Sequence, residues 1–518
     1  MDEEWAAAWR LLPVYLSQHM LLSVCALVIG FAISLPLSVA ASRSAAVRWP
    51  SLFAASLIQT IPSLALLALF YPLLLATSML TKKVTGVGFP ALGFLPSVMA
   101  LTLYSMLPVL RNGVAGIRAV DPAAIEAALG MGMTERQRLF WVELPLAAPV
   151  MMAGARTAAV WTIGAATLAT PVGQTSLGNY IFLGLQTENW IFVLFGCFAS
   201  AALALAADQL LGLIESGLSA RSRLRVWAGV LGLVVGAAAC LSPLAAIPGK
   251  AGYRVGAKNF AEQYILAEVM VRRLQATRAP VSLKEDLGSA TAYRALAASE
   301  IDTYVDYTGT LWTNVLGRRD NPGREAMLRD LTVLLAQRNH VRLLGPLGFE
   351  NAYVLAMKPE RARELGISSV ADLAPHAPEL KLGSDLEFLS RPEWTDLRRA
   401  YDLRFRSSTA YQPTFMYRAL EDGQADVISA FSSDGRIAAD HLVVLSDPKQ
   451  ALPPYDAVIL VSPRRARDSR LIAALSPMVG AIPVQTMREA NYSVDRPKDK
   501  LTPTAAAMWL DAQVSQKR

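Results

Sequence analysis

Six stretches without a single Asp, Glu, Lys or Arg lie in the first 249 positions of this 518-residue chain: 11–42, 49–81, 84–110, 157–187, 189–207 and 226–249. A helix needs about 20 predominantly apolar residues to cross a hydrocarbon core, so each stretch can hold one span. Nothing as long follows. Residues 1–248 hold 13 basic and 10 acidic side chains, against 36 and 32 in residues 249–518. The chain therefore reads as a membrane half joined to a globular half of ordinary polarity, which excludes a single soluble enzyme. The net charge of +7 divides as +3 and +4, so neither half is a polybasic nucleic-acid binder. The three cysteines, Cys25, Cys197 and Cys240, all fall in the first half. The second half can therefore have no disulfide framework and no cysteine metal site.

The spans are expected near 20–42, 52–79, 91–110, 147–170, 190–214 and 226–247. Basic residues mark alternate loops: Arg43 and Arg48, then Arg111, Arg118, Arg136 and Arg138, then Arg221, Arg223 and Arg225. The positive-inside rule puts those loops in the cytoplasm, and the N-terminus and everything after the sixth span outside it. Asp2, Glu3 and Glu4 give the first span an acidic flank, the wrong one for a cleaved signal peptide. Two charges fall inside expected spans, Arg156 and Asp208. Both are near cytoplasmic ends, where they are expected to snorkel.

The loop after the third span opens with Asp121-Pro122, a helix start with proline in the first turn. Glu126-Ala127-Ala128 follows, then Gly132, Val142 and Leu144-Pro145. Small residues, a glycine break and a second helix ending before Pro145 make a rigid bracket. This spacing resembles the coupling-helix motif of ABC importer permeases. The resemblance implies that Glu126, Ala127, Ala128, Gly132 and Pro145 form the dock for a separate ATP-binding subunit. The chain carries no G-x-x-x-x-G-K-[ST] loop to cradle phosphates, so it is not the ATPase itself.

From Tyr253 onward, short apolar runs such as Ala352–Met357, Val427–Ala430, Leu442–Leu445 and Ala457–Val461 alternate with helical stretches. The pattern predicts two α/β lobes around a cleft, one of about 253–345 plus 456–518 and one of about 346–455. Four segments stand out in order: Val255–Gln263 (VGAKNFAEQ), Asp302–Thr310 (DTYVDYTGT), Phe431–Ile437 (FSSDGRI) and Pro453–Ala457 (PPYDA). They resemble substrate-binding proteins of quaternary-amine and osmoprotectant importers, those for glycine betaine, choline and carnitine. A quaternary ammonium donates no hydrogen bond, so a site must hold it by charge and by aromatic faces. Tyr307, Tyr353, Tyr417 and Tyr455 are the candidate cage, with Tyr304 and Tyr411 in reserve. The resemblance ranks Tyr307 and Tyr353 first. Asn259, Gln263 and Thr310 are candidate partners for a ligand carboxylate, with Lys258 possible, and Thr310 leans towards a betaine. Asp434-Gly435-Arg436 reads as a tied loop rather than a ligand contact.

These readings give a multi-domain chain, an all-α six-helix transmembrane permease domain (1–248) followed by a two-lobed α/β domain (249–518) of the periplasmic-binding-protein type. The expected function is capture and import of a small quaternary amine across the cytoplasmic (inner) membrane. The expected partners are two copies of an ATP-binding subunit, a second copy of this chain and the lipid bilayer, with no cofactor, no metal and no nucleic acid. A chemoreceptor or ligand-gated channel for the same ligands is the alternative, and it has no use for a coupling bracket.

Overall fold

The computed structural model describes residues 2–516 other than 87, 188, 244–251, 319, 412, 497 and 498. The chain divides into two compact units, Met1–Phe182 with Trp190–Gly249, and Leu183–Asn189 with Lys250–Arg518.

Six helices among the described residues are long and apolar enough to cross a membrane. These spans 1 to 6 are Glu4–Arg43, Ser63–Thr85, Phe94–Arg118, Glu135–Val172, Trp190–Ser219 and Arg223–Leu241. The second is not the expected 52–79. A separate helix, Ala45–Thr60, stops at Ile61, whose φ of −75° and ψ of 125° are what a following proline imposes. The chain restarts at Ser63, beyond Pro62. The fourth also differs, because the bracket's second helix does not end before Pro145. Glu135–Arg138 widens into a π-helical turn, Leu139–Glu143, and continues as Leu144–Ala166. Pro145 has no N–H for an ordinary ladder bond, and in the wide turn Leu144 N reaches back to Leu139 O instead.

Spans 1 to 4 meet in a cluster that includes Leu22, Leu67, Leu101 and Ala166. A Cβ on Gly154 would stand 2.7 Å from Pro108 O, so spans 3 and 4 come together where a side chain is missing. Arg156 and Asp208 do not snorkel separately. Arg156 Nε and Nη2 donate to the two Asp208 oxygens at 2.9 Å, and Nη1 donates to Glu215 at 2.8 Å, tying span 4 to span 5.

The second unit holds ten strands among its described residues: β1 Tyr253–Lys258, β2 Val281–Leu287, β3 Thr303–Tyr307, β4 Arg342–Glu350, β5 Tyr353–Met357, β6 Lys381–Asp385, β7 Ser407–Tyr411, β8 Val427–Phe431, β9 Val443–Val444 and β10 Asp456–Val461. They form two five-stranded sheets, in the orders β2-β1-β3-β10-β4 and β7-β6-β8-β5-β9. The chain leaves the first sheet at Glu350 and enters the second at Tyr353. It returns at β10, and Asn351 N donates to Tyr455 O at 2.9 Å where the two crossings run side by side. Helix Val484–Asp495 belongs to neither lobe alone. Its Asn491 Nδ2 donates both to Glu262 and to Ser433 O.

Candidate functional site

In α/β sheets of this kind, ligands gather beyond the carboxyl ends of the parallel strands. β1, β3, β6 and β8 end at Lys258, Tyr307, Asp385 and Phe431, while the antiparallel β5 and β10 begin at Tyr353 and Asp456. Lys258, Tyr307, Tyr353, Asp385 and Phe431, with Tyr455 just before β10, line one cavity of about 540 Å³. Tyr307, Tyr353, Tyr417, Tyr455, Asn259 and Thr310 all line it, as do Lys258 and Tyr411. Gln263 does not. It stands behind the wall, where its Nε2 donates to Tyr307 Oη at 3.0 Å. Tyr304 is a core ring whose hydroxyl donates to Asp306 at 2.5 Å. Asp434 and Arg436, expected only to tie a loop, are both tied to each other and part of the cavity wall.

Five of the lining rings fall into two groups. Phe260 and Tyr307 lie nearly parallel with centroids 6.1 Å apart. Tyr353 leans on Phe431 at 4.8 Å and meets Tyr455 edge-on at 6.0 Å. Each of the four cage tyrosines also has a basic side chain of the protein near its ring. Lys258 Nζ is 5.1 Å from the Tyr307 centroid, and Arg436 is 4.1 Å from that of Tyr417. Arg391 is 5.5 Å from Tyr353 and 5.8 Å from Tyr455. Part of the aromatic attraction is thus engaged by the protein's own cations, which composition alone did not suggest.

Those cations are matched by acids. Lys258 is bound to Asp306, Arg436 to Asp434 at 3.1 Å, and Arg391 to Glu393 at 2.9 Å. Burial alone would raise the Glu393 carboxyl, but Arg391 and the Tyr455 hydroxyl outweigh it and hold the group below the usual range. Among the described residues the wall carries four carboxylates (Glu262, Asp385, Asp434, Asp495) and three cations (Lys258, Arg391, Arg436), with Asp306 and Glu393 directly behind. Carboxyl groups thus outnumber basic groups at the site.

The donors that face Glu262 are neutral: Ser433, Tyr307 Oη at 2.5 Å, Asn491 Nδ2 at 3.0 Å and Asn351 Nδ2 at 3.1 Å. Burial raises its carboxyl, and these bonds oppose the rise. Burial, and then Glu262 itself, push the Tyr307 hydroxyl well above its ordinary value, so it stays a donor. Sequence reasoning passed over Glu262, although it sits inside the VGAKNFAEQ block, and it missed Arg391, which no local pattern marks.

The bracket is built as its residues require. Asp121 caps helix Pro122–Gly130, and Thr134 and Gln137 form a capping box for the next helix. Gly132 turns between them at a φ of +75°. Glu126, Ala127 and Pro145 are exposed, while Ala128 is buried. The surface is not only small side chains, since Leu129, Met131, Phe140 and Trp141 are exposed as well.

Comparison with known proteins supplies the lineage. Residues 252–512 match the substrate-binding domain of the ABC-type glycine betaine transport system, and residues 30–220 match the binding-protein-dependent transport system inner membrane component. The chain is 30% identical over 455 residues to the ergothioneine transport permease/ergothioneine binding protein EgtU of Helicobacter pylori (strain G27), covering 84% of this chain and 78% of that one. It is 38% identical over 202 residues to the choline transport system permease protein OpuBB of Bacillus subtilis (strain 168), covering 39% of this chain and 86% of that one. A solved glycine betaine/carnitine/choline ABC transporter structure aligns with 50% of this chain and 96% of its own, at 26% identity and a TM-score of 0.45. With both halves matched in order, and with a relative that shares the fusion along most of its length, the chain belongs to the ABC importer family in which a membrane permease and a glycine-betaine-type substrate-binding domain form one polypeptide.

Proposed function

We propose that the second unit captures a small quaternary-ammonium compound outside the cytoplasmic membrane, and that two copies of the membrane unit pass it inward. ATP is hydrolysed by a separate subunit docked on the bracket around Glu126–Pro145. The observation that carries this reading is the cavity wall, aromatic rings set among more carboxylates than cations. Such a wall favours a cation that cannot donate hydrogen bonds, because ring faces and carboxylates attract it without needing its protons. Relatives named for ergothioneine and choline transport support the ligand class. Arg391 gives a carboxylate-bearing ligand a guanidinium beside the rings, a better anion partner than Gln263 behind the wall. The side of the membrane rests on the alternate basic loops.

Calorimetric titration of the full chain in detergent against glycine betaine, choline, carnitine and ergothioneine tests the ligand class. At least one should bind, and a neutral carbon isostere of choline should bind far more weakly. Failure of all four to bind folded protein would overturn it. Co-purification of an ATP-binding subunit tests the partner, and mass measurement of the assembly tests the two copies of each chain.

A further inference from the structure

Glu143 is a buried carboxylate in the membrane unit, 4% exposed, at the end of the π-helical turn where the bracket runs into span 4. Its oxygens are divided between two arginines. Oε1 accepts from Arg138 Nε at 2.7 Å, and Oε2 accepts from Arg43 Nη2 at 3.3 Å. Arg138 belongs to the bracket, whereas Arg43 ends helix Asp2–Arg43. Arg43 also lies 3.9 Å from Glu135, the first residue of the bracket's second helix. Glu143 is the buried partner, whereas the Arg43 side chain is 36% exposed; losing Arg43 leaves the buried carboxylate one partner short, which opposes opening of the contact. A π turn is the weak point of an otherwise continuous helix and recurs at functional sites.

We propose that Glu143 is a positioning residue for transport, clamping the bracket to the end of span 1 so that spans 1 and 4 follow the bracket as one body. The proposal rests on the reading of the bracket as an ATPase dock. Without the clamp the wide turn becomes a hinge, and the bracket moves while the spans lag behind. The docking surface itself is unchanged, so the ATP-binding subunit stays attached and active.

The test uses the full chain with its ATP-binding subunit in proteoliposomes, measuring uptake, ATP hydrolysis and ligand affinity. Glu143→Gln and Arg43→Gln should each keep ligand affinity and ATP hydrolysis while uptake falls about tenfold, the size of an ordinary coupling between sites. The ratio of ATP hydrolysed to ligand imported should rise accordingly. The double variant should be no worse than either single one, because both open the same clamp. Proportional loss of hydrolysis and uptake would mean a merely structural role and would overturn the proposal. Normal uptake by Arg43→Gln would also overturn it; this variant keeps the Arg138 pair and serves if Glu143→Gln does not fold. Gly132→Trp separates the two failures: normal coupling there removes the dock, whereas lost coupling there beside normal Arg43→Gln removes only the clamp.

Discussion

The hydroxyl of Tyr307 donates to Glu262 Oε1 at 2.5 Å while accepting from Gln263 Nε2 at 3.0 Å. The ring that offers its face to the cavity is thus held from behind by a buried acid. The same acid takes hydrogen bonds from Asn351 at the crossing between the sheets and from Asn491 on the helix that bridges them. Ring position and lobe geometry are therefore linked through one carboxylate.

Tyr307→Phe keeps the aromatic face but leaves Glu262 one donor short in a buried place. A loss of about 1–3 kcal/mol in stability is expected. Ligand affinity should fall too, since the hydroxyl orients the ring. Tyr307→Ala removes the face as well and should cost roughly 2–3 kcal/mol of binding, about 30- to 150-fold in Kd. Paired thermal melts and titrations check both. Unchanged melting and affinity for Tyr307→Phe would show that the hydroxyl contacts have no influence on the ring.

Arg391 is buried, donates to Glu393 at 2.9 Å and to Tyr455 Oη at 3.0 Å, and lies near two cage rings. Arg391→Met should weaken ligands that carry a carboxylate by about 2 kcal/mol, roughly 30-fold, and weaken choline much less. Titrating glycine betaine and choline in parallel reads the difference. Equal losses for both would mean that Arg391 only braces the wall.

Gly132 holds a φ of +75°, and a Cβ placed there meets nothing within 4 Å. Replacing it costs about 1–2 kcal/mol of local strain but no clash inside the chain. Gly132→Trp should therefore yield a stable protein with normal ligand affinity and no ligand-stimulated ATP hydrolysis or uptake. Import at the parent rate by this variant would remove the bracket from the mechanism.

What the sequence could disclose follows from how local each cause is. Missing charges mark membrane spans, yet prolines do not say which helices break. Helices run through Pro36 and Pro108, whereas the chain stops before Pro62. Among strands, β5, β8, β9 and β10 were visible because they fall in nearly continuous apolar runs, and β1 was visible from Tyr253 to Gly256. β4 was not, because Gly345, Pro346 and Gly348 interrupt it. It survives as an edge strand with two irregular steps against β10. At the site, tyrosines near strand ends could be listed in advance. Arg391 could not, because its place depends on Tyr455, 64 residues away, and the role of Glu262 depends on Asn491, 229 away.

Asp286 offers a pH test of the second unit. It is buried, accepts a hydrogen bond from the Tyr264 hydroxyl, and sits at a φ of +62°. Burial pushes its carboxyl up to about 7, with the Tyr264 bond opposing the rise. An unfolded chain releases that proton near the ordinary value of about 3.9. Between those two values the folded state holds a proton that the unfolded state has lost. Stability from this group is therefore full below the lower value and declines as pH rises to the upper one, by at most about 1.4 kcal/mol per pH unit. Asp286→Asn cannot titrate, keeps an oxygen for Tyr264 and tolerates the left-handed backbone. In thermal melts of the second unit's transition, the parent should lose more stability between pH 4 and pH 7 than the variant does. Identical pH slopes in the two proteins would show that folding does not raise the Asp286 carboxyl above its unfolded value.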